Sequence, residues 1–256
     1  MVVTFPVHPR KILQADYQPQ LLTTRNEKAE LLKATGIDCL VWMDFSLALS
    51  ELSARAFMQK LKNEYNVATL IVGYDHRFGR GRAEGFEDYL RYGQELGIEV
   101  TQARELSVQA SSTTVRSALM GGQVKKANAT LGYNYFMEGQ VVHGFHNGAA
   151  LGFPTANLSL PPDKLVPMNG AYAVWVEAAS KSKYMGMLNI GCRPTLNNGT
   201  ERSIEVHLFD FNADIYGERL RVELVDFLRP EQKFDSVSEL HRQLELDEQE
   251  CRRLMV

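Results

Sequence analysis

The sequence has no apolar run approaching the roughly 20 residues that span a bilayer. No signal-peptide core follows Met1, because prolines and basic residues interrupt the range 6–11. Cysteine is scarce: the three cysteines are far apart and form no CxxC pair, which argues against a disulfide framework or a zinc site. These absences predict a soluble protein of the reducing cytoplasm.

An excess of charge of one sign is also missing. The chain has 28 basic and 31 acidic residues, a formal net charge of -3, and the two signs are interspersed. Such a surface gives no footprint for nucleic acid, and we expect neither a nucleic-acid nor a membrane partner. The 256 residues suffice for one large or two ordinary domains, and nothing in them indicates an oligomeric state.

The first half of the chain alternates predicted strands and helices. Range 67–72 is apolar throughout, the pattern of a parallel strand covered on both faces. Helices are predicted after Thr24 and Ser53, residues that favour helix N-termini, and also over 86–96. Repeated strand–helix–strand units predict an α/β domain with a parallel sheet.

From residue 133 the pattern changes to strands separated by Gly, Asn and Pro turns. We predict strands over 136–143, 171–178, 184–189, 204–211 and 220–228, followed by one amphipathic helix over 237–254. This pattern is typical of an antiparallel barrel or sandwich. The sequence therefore predicts two domains, 1–132 and 133–256.

A glycine-rich segment carries the clearest chemical signal of the second half. Gly144, Gly148 and Gly152 recur every fourth residue, which lets backbone N–H groups converge on an anion. Thr155 and Asn157 follow two residues apart on an extended segment, so both side chains point to one face. Their oxygens suit Mg²⁺ held jointly with nucleotide phosphates. Taken alone, the glycine spacing is more typical of a glycine-rich hairpin with a turn stabilised by Thr and Asn.

The predicted strand over 204–211 places polar groups opposite an apolar face. Ile204, Val206 and Leu208 alternate with Glu205 and His207. A carboxylate on a barrel wall is a candidate general base for an alcohol nucleophile. The alternative interpretation is an exposed strand glutamate.

Five segments of the second half resemble the signatures of riboflavin kinases, in order and in spacing. They are Gly152–Asn157, Asn189–Thr195, Ile204–Leu208, Ile215–Gly217 and Leu228–Phe234. Several motifs in register are more specific than any one alone, and they cover the chain from about residue 139 to 255.

The resemblance implies a six-stranded Greek-key barrel with a C-terminal helix. It implies transfer of the γ-phosphate of ATP to the ribityl 5′-hydroxyl of riboflavin, giving FMN. By this resemblance Thr155 and Asn157 hold the Mg²⁺ of ATP, Glu205 is the base and Arg229 lies on the flavin side. One position departs from the family: Ala149 stands where an arginine is usual, and His146 or Lys164 are possible substitutes.

The first half is similar to bacterial bifunctional riboflavin kinase/FMN adenylyltransferases, also called FAD synthetases. The segments are Thr4–Arg10, Gly73–Gly79 and Ser111–Arg116. They imply a Rossmann-like nucleotidyltransferase domain that converts FMN to FAD.

Individual residues of these segments are binding-site candidates through that resemblance. His8 and Asp75 belong to the first two segments. Ser112, Thr113 and Arg116 belong to the third, where hydroxyls and N–H groups at a helix N-terminus suit a phosphate. A Ser/Thr helix cap with a solvated arginine is the ordinary alternative.

The chain lacks the HxGH segment with which the family begins. Because those histidines stabilise the transferred phosphate in the family, we expect a truncated adenylyltransferase domain and FMN as the main product. A competing hypothesis is a non-catalytic flavin- or nucleotide-binding protein, which Ala149 and the missing segment favour. Intact Thr155, Asn157 and Glu205 favour the kinase.

Overall fold

The computed structural model describes residues 1–14, 16–104, 110–143, 152–194 and 200–255, without the side chains of 193, 194, 200 and 201. The chain divides into two compact units. One contains 1–19 and 28–109, and the other contains 20–27 and 110–256. The domain boundary at 132/133, where the sequence pattern changes, stays a prediction.

The first unit alternates strands and helices as predicted. Its elements are β1 (Val2–Thr4), α1 (Pro9–Leu13), α2 (Arg25–Ala34, whose first turn belongs to the second unit), β2 (Leu40–Trp42), α3 (Leu47–Ser50), α4 (Ala54–Tyr65), β3 (Thr69–Val72), α5 (Phe86–Leu96) and β4 (Glu99–Gln102). The predicted caps are present: the Ser53 side chain accepts from the Ala56 N–H, and Thr24 Oγ1 accepts from the Glu27 N–H at 3.3 Å.

The predicted parallel strands pair in two separate two-stranded sheets. β1 runs parallel to β2, and β3 runs parallel to β4. The expectation that β3 is covered on both faces is wrong for the described residues, because Ile71 is 70% exposed. An apolar run shows that a strand can be buried, but the elements that pack on it decide whether it is.

The core of the first unit lies between α4, α5 and the β3–β4 pair. Met58, Val72, Tyr89, Leu96 and Ile98 are buried there. The Tyr89 ring stacks on Phe78 with centroids 4.2 Å apart, and its hydroxyl accepts from the Phe78 N–H at 3.1 Å. These contacts fix the end of the loop that follows β3.

The second unit is built on a closed barrel of six strands. After α6 (Ser112–Met120) and α7 (Val124–Leu131) come β5 (Phe136–Val142), β6 (Ala156–Ser159), β7 (Gly170–Glu177), β8 (Lys183–Pro194), β9 (Thr200–Leu208), β10 (Arg219–Pro230) and α8 (Val237–Met255). The order around the barrel is β10-β5-β6-β9-β8-β7, and all six pairings are antiparallel. The predicted barrel and its final helix are confirmed, and β6 is the extended segment that carries Asn157.

Alternation along the strands separates a core inside the barrel from a second apolar layer outside it. Val174, Leu188, Val206 and Leu224 are among the residues buried inside. On the outer face, Cys251 of α8 packs in a smaller cluster with Phe153, Ala173, Met187 and Phe209. The candidate residues Glu205 and Arg229 lie on this outer face, beside α8.

None of the helices in the described ranges has the length and apolar character needed to cross a membrane.

Candidate active site

A cavity of about 290 Å³ lies between the outer face of the barrel and α8. Its apolar lining is Phe153, Ala171, Met187, Leu188, Phe234, Leu240 and Leu244. Its polar lining is Thr155, Asn189, Glu205, His207, Arg229, Glu231, Gln232 and Asp247. A mostly apolar cleft with a few convergent polar groups is the usual form of a small-molecule site.

Glu205 faces this cavity because of the alternation along β9. Its neighbours Ile204 and Val206 are 6% and 0% exposed and pack inside the barrel, so Glu205 projects outward, where it is half-buried. The alternation predicted for this segment is confirmed.

Paired residues on adjacent strands form one polar row across the outer face. Asn157 of β6 pairs with Glu205 of β9, and Glu205 pairs on its other side with Asn189 of β8. Ala171 of β7 is paired with Asn189 and with Arg229 of β10. Since directly paired residues project to the same side of a sheet, the fold places Asn157, Glu205 and Arg229 from three separate segments on one face.

Thr155 lies beside Glu205 in the lining of the cavity and adds a hydroxyl oxygen to the carboxylate. Its Oγ1 lies 3.4 Å from Glu205 Oε2, and Asn157 is two residues further along the extended chain. Hydroxyl and amide oxygens beside a carboxylate fit a hard cation such as Mg²⁺. Within the described residues no cluster of three His, Cys, Asp or Glu could hold a metal, so an ion here would need the phosphates of a nucleotide as further ligands.

Arg229 fixes α8 against the barrel. Its guanidinium contacts the Asp247 carboxylate three times, at 2.7, 3.0 and 3.0 Å, and Gln243 donates to the same carboxylate at 2.8 Å. The Asp247 side chain is 5% exposed. The Arg229 guanidinium also lies 5.7 Å from the Phe234 ring centre. Arg229 therefore contributes both to the wall of the cavity and to the position of α8.

Glu231 is held at the rim of the cavity by a second polar network. Its two carboxylate oxygens accept from the Cys192 N–H at 3.3 Å and from Asn169 Nδ2 at 3.0 Å. Asn169 Oδ1 in turn accepts from Arg202 at 2.9 Å. Burial is the main cause that lowers the pKa of Arg202. The network orients the Glu231 carboxylate before any ligand binds.

The segment before β6 is anchored by His207. Its Nδ1 lies 2.7 Å from the Pro154 carbonyl oxygen, and its ring meets Phe153 edge-on at 5.3 Å. These contacts hold the backbone that presents Thr155 to the cavity.

Lys164 does not replace the arginine that is absent at position 149. Its ammonium is fully buried and binds Glu27 Oε2 at 2.7 Å and the Leu22 carbonyl at 2.8 Å. Burial, the dominant cause, lowers the pKa of Lys164, and Glu27 opposes this effect. Because the Lys164 ammonium is paired with Glu27, it is not available to bind phosphate in place of the missing arginine. The suggestion that Lys164 is a substitute is therefore wrong. Ala149 and His146 lie outside the described residues.

The predicted glycine loop is only partly described. Gly144 and Gly148 lie outside the described residues, whereas Gly152 is exposed with φ +78°. This left-handed conformation favours glycine. Gly152 therefore ends the loop with a turn that sets the direction of the Pro154–Thr155 segment.

The candidates from the first half occupy three different places. His8 caps α1, its Nδ1 accepting from the Arg10 N–H at 3.2 Å, and Asp75 is exposed in the loop after β3. Ser112 and Thr113 are exposed in the first turn of α6, and Arg116 Nε donates to the Gln20 carbonyl at 2.9 Å. His8 and Asp75 belong to the first unit, whereas the α6 residues belong to the second.

Sequence reasoning did not single out three polar residues of the cavity. Asn189 and Glu231 lie within quoted segments, but their neighbours gave no signal of a role. Asp247 was an ordinary acidic position of the predicted helix. Register and helix packing, which bring them to the cavity, are long-range features.

Two family models match the chain, one for each half. The model for riboflavin kinase matches residues 131–255, and the model for FAD synthetase matches residues 1–118.

Similar proteins align along nearly the whole chain. The bifunctional riboflavin kinase/FMN adenylyltransferase of Listeria monocytogenes is 36% identical over 255 residues, 98% of this chain and 81% of that protein. The Escherichia coli K12 protein of the same name is 36% identical over 252 residues, with coverages of 97% and 80%. A crystal structure described as a macrolide-efflux protein from Streptococcus pneumoniae has a TM-score of 0.89 and 35% identity, covering 98% of this chain and 82% of that one. The chain belongs to the family of bifunctional riboflavin kinases/FMN adenylyltransferases.

Proposed function

We propose that this chain phosphorylates riboflavin with ATP and releases FMN and ADP. The single observation that carries the proposal is the contact between Thr155 and Glu205 inside the cavity beside α8, in the half that matches the riboflavin kinase model. An apolar cleft that ends in oxygen-bearing side chains suits a flat aromatic ring with a hydroxylated chain.

Glu205 is the proposed general base. The ribityl 5′-hydroxyl attacks the γ-phosphorus, its O–H proton passes to the Glu205 carboxylate, a new O–P bond forms, and the bond from phosphorus to the ADP oxygen breaks. Phosphoryl transfer depends mainly on positioning and on charge stabilisation, so a base needs only to lie within reach of the hydroxyl.

Thr155 and Asn157 are the residues proposed to hold the Mg²⁺ of ATP, because their oxygens lie on the same face as Glu205. When bound, the ion neutralises phosphate charge. We propose that Gly144, Gly148 and Gly152 bind the phosphates through backbone N–H groups. Thr155 also keeps the Glu205 carboxylate turned towards this end of the cavity.

Arg229 and Asp247 are proposed to shape the flavin side of the site. Their ion pair holds α8 where Leu240 and Leu244 line the cavity. The apolar wall can then cover the isoalloxazine ring and exclude water from it, which strengthens the polar contacts at the reacting end.

Riboflavin-dependent release of ADP tests the kinase proposal. The purified chain, ATP and Mg²⁺ should release ADP only when riboflavin is added, with FMN formed in equal amount by chromatography. Binding of riboflavin without ADP release would instead support the non-catalytic flavin-binding protein.

FMN adenylylation is the second activity, supported by the match of residues 1–118 to FAD synthetase. We propose Ser112, Thr113 and Arg116 for the nucleotide phosphates and His8 and Asp75 as further binding residues. Incubation with FMN, ATP and Mg²⁺, with FAD and pyrophosphate as readouts, tests this activity separately.

A further inference from the structure

The extended segment that carries Thr155 lies just outside the regular pairing of the barrel strands. Among the described pairings, β6 meets β9 through Ala156↔Val206 and Asn157↔Glu205, and Thr155 precedes the first of these pairs. The residue before it is Pro154, which has no backbone N–H to donate to a neighbouring strand. The position of Thr155 therefore depends on contacts other than regular strand pairing.

The His207 side chain supplies such a contact from β9. Its Nδ1 lies 2.7 Å from the Pro154 carbonyl oxygen, and because a carbonyl oxygen only accepts, Nδ1 is the protonated nitrogen that donates. The imidazole ring packs against two aromatic rings, with centroids 5.3 Å from Phe153 and 5.6 Å from Phe209. Phe153 and Phe209 are both buried. Packing therefore orients the donor before any ligand binds.

Two residues of β9 thus hold Thr155 at two points. Glu205 and His207 are two residues apart, project to the same outer face and both line the cavity. His207 binds the carbonyl next to Thr155, and Thr155 Oγ1 lies 3.4 Å from Glu205 Oε2. A shift of the Pro154 carbonyl would move Thr155 relative to the carboxylate, because one planar peptide unit joins the two residues.

We propose that His207 is a positioning residue for the nucleotide end of the site and that it acts through Thr155. The inference rests on the proposed kinase function and deepens it, because the hydrogen bond to Pro154 sets where the Thr155 oxygen meets the Mg²⁺ of the nucleotide. Mg²⁺ demands a nearly ideal arrangement of its oxygen ligands. A small displacement of Thr155 therefore weakens binding of the magnesium nucleotide and leaves binding of riboflavin unchanged.

Two substitutions of His207 separate its hydrogen bond from its packing. His207→Asn keeps an N–H donor near the position of Nδ1 and loses the ring, whereas His207→Phe keeps a ring and loses the donor. Pro154 is exposed, so water can bind its carbonyl in the second variant and the chain should fold. The matched control is His241→Phe. The His241 ring also meets Phe153 edge-on, at 5.7 Å, but its Nδ1 lies 3.7 Å from Glu245 on α8.

The readout is the equilibrium affinity for Mg²⁺-ADP and for riboflavin, measured by calorimetry, with kcat and the melting temperature as further measurements. We expect His207→Phe to weaken the affinity for Mg²⁺-ADP about 3- to 10-fold, the value of one neutral hydrogen bond. Its affinity for riboflavin should stay within about twofold. His207→Asn should recover most of the loss, and His241→Phe should match the unaltered chain with both ligands.

A second comparison tests whether His207 acts through Thr155. Thr155→Val removes the hydroxyl that the hydrogen bond is proposed to position. Adding His207→Phe to Thr155→Val should weaken the affinity for Mg²⁺-ADP by less than a further factor of about two, because two substitutions that act on one contact are not additive.

Three results would overturn the positioning role. They are a larger loss with His207→Asn than with His207→Phe, equal losses for the two ligands, and a full further loss in the Thr155→Val background. If the unaltered chain binds both ligands without turnover, the kinase proposal fails while the affinities still decide the role of His207. If it binds no Mg²⁺-ADP, both proposals fail.

Discussion

The role proposed for Glu205 depends on the residues that surround it. A glutamate on the outer face of a strand is usually a solvated side chain, but this one faces Thr155, pairs with two asparagines and lines a cleft. The residue type supplies the carboxylate, and the cleft supplies the space in which we propose that it meets a substrate hydroxyl.

Replacing Glu205 with glutamine should lower kcat for riboflavin phosphorylation by about 10²–10⁴-fold, the usual contribution of a positioned base. The amide keeps the size of the side chain but cannot take up the proton. ATP affinity, measured by equilibrium binding, should remain nearly unchanged.

A control substitution distinguishes the loss of the general base from the removal of one negative charge from the protein. Glu177→Gln changes a glutamate on β7 that pairs with Lys181 outside the cavity, and its kcat should equal that of the unaltered chain. Normal turnover by Glu205→Gln would remove this residue from the mechanism.

Cys251 shows how burial controls the chemistry of a single side chain. It is 0% exposed on the buried face of α8, and burial, with smaller contributions from Asp247 and Glu248, raises the pKa of its thiol from 9.0 to about 12. The thiolate is the reactive form. At neutral pH, iodoacetamide should therefore label exposed Cys39 and Cys192 but label Cys251 only after unfolding, as mass spectrometry can measure.

The raised pKa of the Cys251 thiol makes the stability of the folded protein depend on pH. Because the folded thiol has the higher pKa, its contribution to stability is fully present below about pH 9 and is lost as the pH rises towards 12. Between about pH 8 and 10.5 the free energy of unfolding should fall more for the unaltered chain than for the Cys251→Ala variant. Rapid labelling of Cys251 in the folded state would contradict this account.

At the scale of elements, the start of α2 is part of the barrel unit. Glu27 forms a capping box with Thr24, accepts from the Glu138 N–H at 3.1 Å and pairs with Lys164, both side chains being 0% exposed. Backbone hydrogen bonds join Leu21 to Asp163 and Leu165. A segment remote in sequence thereby supplies the counter-charge for a buried lysine.

Substituting Glu27 with glutamine should lower the free energy of unfolding of the second unit by about 3–5 kcal/mol, because it leaves the Lys164 ammonium buried without an anion. Urea unfolding followed by the fluorescence of Trp175, in a Trp42→Phe background, measures this unit alone. The exposed control Glu30→Gln on the same helix should change stability by less than about 0.5 kcal/mol.

Adding Lys164→Met to Glu27→Gln should recover most of that loss, since replacing both members of a buried pair is often nearly neutral. If the double variant were as unstable as Glu27→Gln alone, the unpaired charge would not be the cause.

At the scale of the whole molecule, the two halves differ in how complete their motifs are. All five segments of the riboflavin kinase signature are present, whereas no HxGH segment occurs in these 256 residues. Incubation with riboflavin, ATP and Mg²⁺, with the flavins separated by chromatography, compares the two activities in one reaction. FMN without FAD would show that only the kinase half is active under these conditions.

Much of the fold could be predicted from local patterns. The predicted helix over 86–96 begins and ends where the sequence indicated, at Phe86 and Leu96, because caps and glycines act over a few residues. β8 extends five residues beyond its predicted end, and β9 begins before the predicted start at 204 and ends before the predicted end at 211. Pairing between the two strands continues into segments without apolar alternation. The exposure of Ile71 could not be foreseen, because it depends on which elements pack on β3.

The sequence by itself determined the order of the elements, the alternation that turns Glu205 outward and the segments that identify the family, since each depends on neighbouring residues. The tertiary structure decided the rest: that Asn157, Glu205 and Asn189 share one row, that Asp247 pairs with Arg229, and that Lys164 is committed to Glu27. Barrel closure and helix packing join residues as far apart as Glu27 and Lys164, which are separated by 137 positions, and no local pattern encodes which distant partners will meet.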